Sequence, residues 1–513
     1  MVPIIIGLSV FSSCNDWLNI TPANTVSAED LYKTGYGFRN ALNGIYLKLA
    51  ESNLYGENLS WGFISAVGQE YAVLSQEQQY NQAFIDASEL QYETSQTLPI
   101  VKELWESSYS VIANINKLIS EIKNADENSF AFGKNEKDLI MAEALALRAM
   151  VHFDLLRMFA PAPITSPSDK YIPYRKEYSS DVGVTLTVQE FLENVIKDLN
   201  EAEAPLKMFD TEYHPKAMYA SNMYDNDPSW NARYRLNSSL YVDEMGIFFW
   251  SRGLRLNYMA LLALKARVCM YAGSDYEKIA EGAAMELYNK FYEDNRWIGF
   301  TPEGNITCVK NLRHAKVVDD VIFGLYQKNL AVNYDSKLWT SQNSVRIPLA
   351  NIEELYNDDN VGIYTDYRLS FLMDRTNESR AKYYSLKYLP STESVVEAME
   401  NPIIPVIRFS EVCHILAEIN CNNNRISESI KFLETVRVAR GAVRSLSLTV
   451  KNQKDMQAEI IKDIRKEVVG EGQSFFYYKR LNISKVKSAD ESGNMIDLSG
   501  SFVLPIPESE NPF

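Results

Sequence analysis

Apolar residues recur at steps of three and four in several blocks of this chain, separated by long stretches that keep no period. The clearest block is 137–159. Leu139, Ala142, Ala146, Ala149, Phe153 and Leu156 share one helical face, and Ile140, Ala144, Leu147, Val151, Leu155 and Met158 share a second. A surface helix needs one such stripe, so two predict a helix covered on both sides. Its alanines permit close approach of a neighbour, and Pro161 and Pro163 end it. Weaker blocks follow the same rule at 37–50 (Phe38, Leu42, Ile45, Leu49) and 101–123 (Trp105, Tyr109, Ile112, Ile115, Ile119). Thr187 and Glu190 form a capping box that opens a helix closed by Pro205. Helices at 253–272 and 275–292 are joined by the turn Ala272 to Tyr276, and a last pair occupies 408–421 and 426–440. Val321, Phe323 and Leu325 alternate within 317–329, the period of a strand.

These blocks predict a mainly α fold of four degenerate tetratricopeptide-type helix pairs with a few short strands: 37–50 with 101–123, 137–159 with 187–205, 253–272 with 275–292, and 408–421 with 426–440. Small residues, a glycine turn and Asp275-Tyr276 match the tetratricopeptide layout apart from one inserted residue. The aperiodic insertions 51–100, 207–250 and 300–400 are expected to pack on one side and carry the ligand.

Composition narrows the function. The formal charge of −16 opposes binding to nucleic acid, which needs a basic footprint. Tyrosine is abundant, 31 residues beside 22 Phe and 7 Trp. Such rings stack on the apolar faces of sugars, although most tyrosines pack helices and turn their hydroxyls to water. Trp61, Tyr71, Trp230, Tyr234 and Trp250 are the candidate sugar contacts, because they fall in the insertions rather than in helical stripes. Trp297 and Trp339 are reserves, and roughly half of the set is expected in the core.

Catalytic and metal signatures are missing. His152, His214, His314 and His414 are scattered, and no zinc, phosphate-loop, dinucleotide or serine-elbow motif occurs. No cofactor and no metal is expected. His152, beside the buried stripes, reads as a packed, hydrogen-bonded residue. Cys269, Cys308, Cys413 and Cys421 follow no metal spacing and read as free thiols. Cys413 and Cys421 lie about 12 Å apart along one helix, too far to bridge.

Cys14 follows an apolar run from Val2 to Phe11 and the small Ser12 and Ser13. This is a short secretory segment with a lipobox-like end, shorter than the roughly 20 residues needed to span a bilayer. No Lys or Arg precedes the run, which implies a true start further upstream. The expected organisation is a signal remnant at 1–13, a lipid anchor and tether at 14–36, and one domain at 37–513.

Several segments resemble the SusD/RagB family of Bacteroidetes outer-membrane lipoproteins. Cys14-Asn-Asp-Trp-Leu-Asn-Ile-Thr-Pro resembles its mature start, AEALALRAMVHFDLLRMFAPAPI its alanine-rich helix, and Trp105, Tyr109, Ile112 and Asn116 its W-x-x-x-Y-x-x-I-x-x-x-N pattern. VVDDVIFGLYQKN and the D-x-R…K set Asp366, Arg368 and Lys387 are similar to segments of that family. IIPVIRFSEVCHILAEINCN, with Pro405, Arg408, Glu411, Ala417 and Glu418, resembles its "IPVIRYAEVLLLYAEALN", and VRVARG its "VRxRAG". Arg465, Glu467, Glu471, Gly472, Lys479 and Arg480 match a further motif, in which Tyr477 replaces the usual Asp, and FVLPIPESE resembles its tail. The resemblance implies a surface glycan-binding lipoprotein, held by Cys14, that delivers oligo- or polysaccharide to a TonB-dependent transporter. It also implies a structural role for Arg465 and Glu467. Two other functions fit the same residues: a peptide-binding repeat scaffold, and an all-helical glycosidase working through an acidic pair.

Overall fold

The computed structural model describes residues 28–72, 81–181, 183–219, 232–234, 246–338, 347–357, 366–377, 381–389, 400–442, 445–490 and 492–508. Helices dominate them, and the strands are few and short. Helix α1 spans Gly35–Leu49, with the Thr34 hydroxyl accepting from the Gly37 amide. Helix α2, Leu98–Asn124, starts with Pro99 in its first turn, where the missing N–H has no partner to lose. Helix α3 is Gly133–Phe159. The two stripes of α3 are buried, as its period requires, and α1, α2 and the next helix pack around it.

That next helix, α4, is Val188–Met208, capped by Thr187 and Glu190 in the expected box. It differs from the sequence reading at its far end, because Pro205 lies inside it. Beyond the helix the chain continues through a wider π turn, Phe209–Tyr213. The second half of the repeat comprises α5 (Tyr258–Ala272), α6 (Glu277–Glu286), α7 (Phe409–Asn422) and α8 (Ile426–Ala439). Then follow α9 (Gln453–Glu467) and the short α10 (Ser474–Arg480). Each expected pair packs together, and α4 on α5 and α6 on α7 join the pairs into a stack.

Polar residues inside the stripes tie the layers. Arg148 of α3 forks onto Asp198 of α4 at 2.6 and 2.8 Å, and Arg267 of α5 reaches Glu411 of α7 at 2.6 Å. Glu143 of α3 accepts from Tyr46 of α1 at 2.7 Å and pairs with the fully buried Arg252, which also forks onto Asp210. His152 is buried as expected. Its ring stacks on Tyr174 at 3.8 Å, and its nitrogens face the Arg148 carbonyl and the Arg175 amide. Burial pushes its pKa down to about 3, so it is a neutral packing residue.

Strand β1, Val321–Tyr326, pairs antiparallel with β2, Ile403–Arg408. β2 is buried along its whole length, so apolar residues occupy both faces and no alternation shows. Cys269, Cys413 and Cys421 are buried free thiols and Cys308 is a half-buried one. Cys14 lies outside the described residues.

Candidate functional site

The first insertion continues directly from α1. Its chain turns repeatedly on itself, with Tyr55 N–H to Leu49 O at 3.1 Å, Leu54 N–H to Glu51 O at 3.0 Å and Gly62 N–H to Glu57 O at 2.7 Å. Gly62 is required there, since a Cβ would sit 2.7 Å from the Glu57 side chain and 2.8 Å from its carbonyl oxygen. The coil carries Trp61 inward. Its indole donates to Gly56 O at 3.0 Å and meets Tyr334 edge-on at 5.2 Å. Tyr334 leans on Tyr388 at 5.3 Å, while Tyr71 stacks on Phe84 at 5.6 Å and donates to the Trp61 carbonyl. The result is a packed aromatic floor.

Backbone hydrogen bonds stitch the roots of three insertion segments together above this floor. The Ala72 amide donates to Pro348 O at 2.8 Å, Leu349 N–H to Tyr383 O at 2.7 Å, and Ala350 N–H to Glu70 O at 2.8 Å. Bridges Tyr71–Leu349 and Leu349–Tyr383 make the same link. Residues far apart in sequence therefore emerge from one place. Glu70 fastens the roots to the loop before α10, accepting from the Gly470 amide and the Ser474 hydroxyl, each at 2.7 Å. Burial raises its pKa to about 7.

Below lies a continuous web of buried charges. Lys387 and Arg408 converge on Glu471 at 2.6 Å, and Arg408 and Arg440 share Asp320 at 2.7 and 2.6 Å. Arg440 and Arg368 share Glu467, each at 2.9 Å, and Arg368 continues to Asp463 and Asp366. Burial opposes ionisation of Glu467 and Glu471, yet the surrounding cations hold both carboxylates below their usual range. Carboxylates locked this way bind the last helices to β2 and the insertion roots. They are poorly placed to exchange protons with a cargo.

The sequence-derived aromatic set divides. Trp61 and Tyr71 come together, but both rings are enclosed in the floor, with Trp61 at 0% and Tyr71 at 3% exposure. Tyr234 is also buried. It packs against Gly253 and Gly324, and its hydroxyl donates to Val321 O at 2.9 Å. A ring sealed by protein presents no face to a sugar, so these three act as packing groups in this arrangement. Trp250 is half-buried, edge-on to His214 at 5.0 Å. Trp230 and Trp339 lie outside the described residues, and Trp297 is buried against Phe291. Sequence reasoning missed Tyr334, Tyr383 and Tyr388, whose only local signal is their nearness to short strands. The end of the first insertion also lines an open cleft of about 750 Å³, with Gln91, Tyr92 and Glu93 facing Tyr171 and Val503.

Comparison with known proteins agrees with this geometry. Residues 16–224 match a SusD-like family described as "Starch-binding associating with outer membrane". SusD-like protein P38 of Formosa agariphila is 25% identical over 211 residues. That match covers 41% of this chain, and the chain spans 38% of the length of this curated relative. A SusD-like carbohydrate binding protein of Bacteroides vulgatus superposes with a TM-score of 0.65 at 18% identity, covering 93% of this chain and 96% of that one. A SusD superfamily protein of Bacteroides thetaiotaomicron gives 0.63 at 19% identity, covering 93% and 97%. The matched segment holds α1–α4 and the first insertion and is similar to the SusD-like family, and the fold shared with the solved SusD-like structures extends over nearly the whole chain.

Proposed function

We propose that this chain captures a glycan outside the outer membrane and passes it to a TonB-dependent transporter, without cutting it. The observation that carries this reading is the stitching of the insertion roots over one aromatic floor, joined to a rigid helical stack. A stiff frame of this kind presents rings and amides from several segments together at small entropic cost. Flat apolar ring faces cover the sugar's C–H surface, and neighbouring Asn, Gln, Asp and Arg side chains read its hydroxyls. Single contacts of this sort are weak. Anchoring through a lipid on Cys14 raises the local concentration and offsets that weakness. No helix among the described residues is long and apolar enough to cross a membrane.

Calorimetry and affinity electrophoresis against a panel of plant and host polysaccharides test the proposal. Saturable binding without release of reducing ends is the expected result. Trp250→Ala and Trp230→Ala are expected to weaken it. Release of reducing sugars by the purified protein, or binding to none of the panel, would sink the reading.

A further inference from the structure

The turn end of the helical stack holds a groove of about 870 Å³, within the range of small-ligand sites. It lies away from the insertion roots, among the turn after α3, the start of α4, the α5–α6 turn and the ends of α7 and α10. Its floor is apolar and aromatic, formed by Val188, Leu192, Met270 and Tyr271. Its rim carries the exposed side chains of Gln189, Asn422 and Gln457, which stand on α4, α7 and α9. A small annex of about 20 Å³ shares Met270, Tyr271 and Arg480 with the groove and is also lined by Phe153, Gln473 and Phe476. That space admits one oxygen-sized group.

Two residues that line the annex each carry a buried polar atom with no hydrogen-bond partner among the described residues: the Tyr271 hydroxyl and the Arg157 Nε. Tyr271 is 3% exposed, and its ring is held edge-on to Phe153 at 5.3 Å. The other Arg157 nitrogens are engaged, one by Gln473 at 3.1 Å and one by Asp154. Buried polar groups are rarely left unpaired, because desolvation without a partner is costly. The Arg480 guanidinium at the junction is neutralised by Glu418 through two bonds of 2.6 and 2.7 Å. With Asp275 and Glu277 also on the lining, the groove favours a neutral ligand and repels an anionic one.

We infer that this groove is a second saccharide site, separate from the insertion face, which takes a neutral oligosaccharide and seats one pendant hydroxyl in the annex. The hydroxyl accepts from Arg157 Nε–H and exchanges a hydrogen bond with Tyr271. The sugar ring lies on Met270 and Tyr271, and the rim amides meet its outer hydroxyls. The site rests on the carbohydrate reading above.

Calorimetry with maltoheptaose, cellohexaose and xylohexaose, and with an oligogalacturonate as the anionic control, tests it on the full chain. Tyr271→Phe removes only the hydroxyl, and Gln457→Trp obstructs the exposed rim. The expected result is two sites for at least one neutral probe, one of them weakened tenfold or more by each variant, with unchanged thermal unfolding. A single site indifferent to both variants overturns this inference and leaves the proposed function standing. Binding of none of the four probes by the parent chain overturns the inference, while the polysaccharide panel decides the proposed function separately. Oligogalacturonate binding that both variants abolish overturns it as well.

Discussion

Helix α3 and the segment 51–72 are about equally buried, yet only α3 announces it. In α3 the backbone satisfies itself, so burial depends on side chains alone, and side chains repeat with the helical period. In 51–72 the backbone is satisfied by individual turns, each with its own spacing, so equally apolar contacts leave no regular trace. The difference shows that an aperiodic aromatic is a poor sign of exposure. Trp61 stands in no helical stripe of the sequence, yet in space it is enclosed by Gly56, Tyr334 and Gly470.

The sharpest way to break this comparison is to truncate one ring in each region. Trp61→Ala and Phe153→Ala are each expected to cost about 3–5 kcal/mol in denaturant unfolding. A Trp61→Ala chain of parental stability that no longer binds glycan would return that ring to the ligand surface. Glu471→Ala follows, because it leaves Lys387 and Arg408 buried with one shared counter-charge removed. A loss of about 3–5 kcal/mol is expected, and Asp30→Ala at the exposed Lys33 pair should lose almost nothing.

The third contrast is pH. Glu70 has a folded pKa of about 7 against 4.5 in the reference state. The folded chain therefore holds this proton more tightly, and its contribution to stability is present below pH 4.5 and is lost as pH rises to about 7. Glu70→Gln should flatten that slope, by up to about 3 kcal/mol across the window. A pH profile identical to the parent's would remove Glu70 as its source. A smaller effect belongs to the frame. Thr187→Ala deletes one side of the capping box and should cost about 1 kcal/mol, measured by thermal melting.

Where regular backbone forces a period on the residues, the fold was legible. The stripes of α3, the Thr187–Glu190 box and the alternation in β1 each named their element. Pro205 misled because the helix runs on past it to Met208, held by the packing of its apolar face, which local propensity does not encode. The insertions were legible as insertions, but the destination of their rings was not. Trp61 and Tyr71 are drawn inward by contacts with Tyr334 and Phe84, the first of them hundreds of residues away in the chain. Tyr271 was hidden for the opposite reason, since it sits in a helical block that reads as plain core.

The hydrogen bonds among Ala72, Pro348, Leu349 and Tyr383 have a consequence for diversification. They tie three segments that are remote in the chain to one another through backbone groups alone. Such a mount does not depend on side-chain identity, so substitutions in one of these segments leave the junction itself in place.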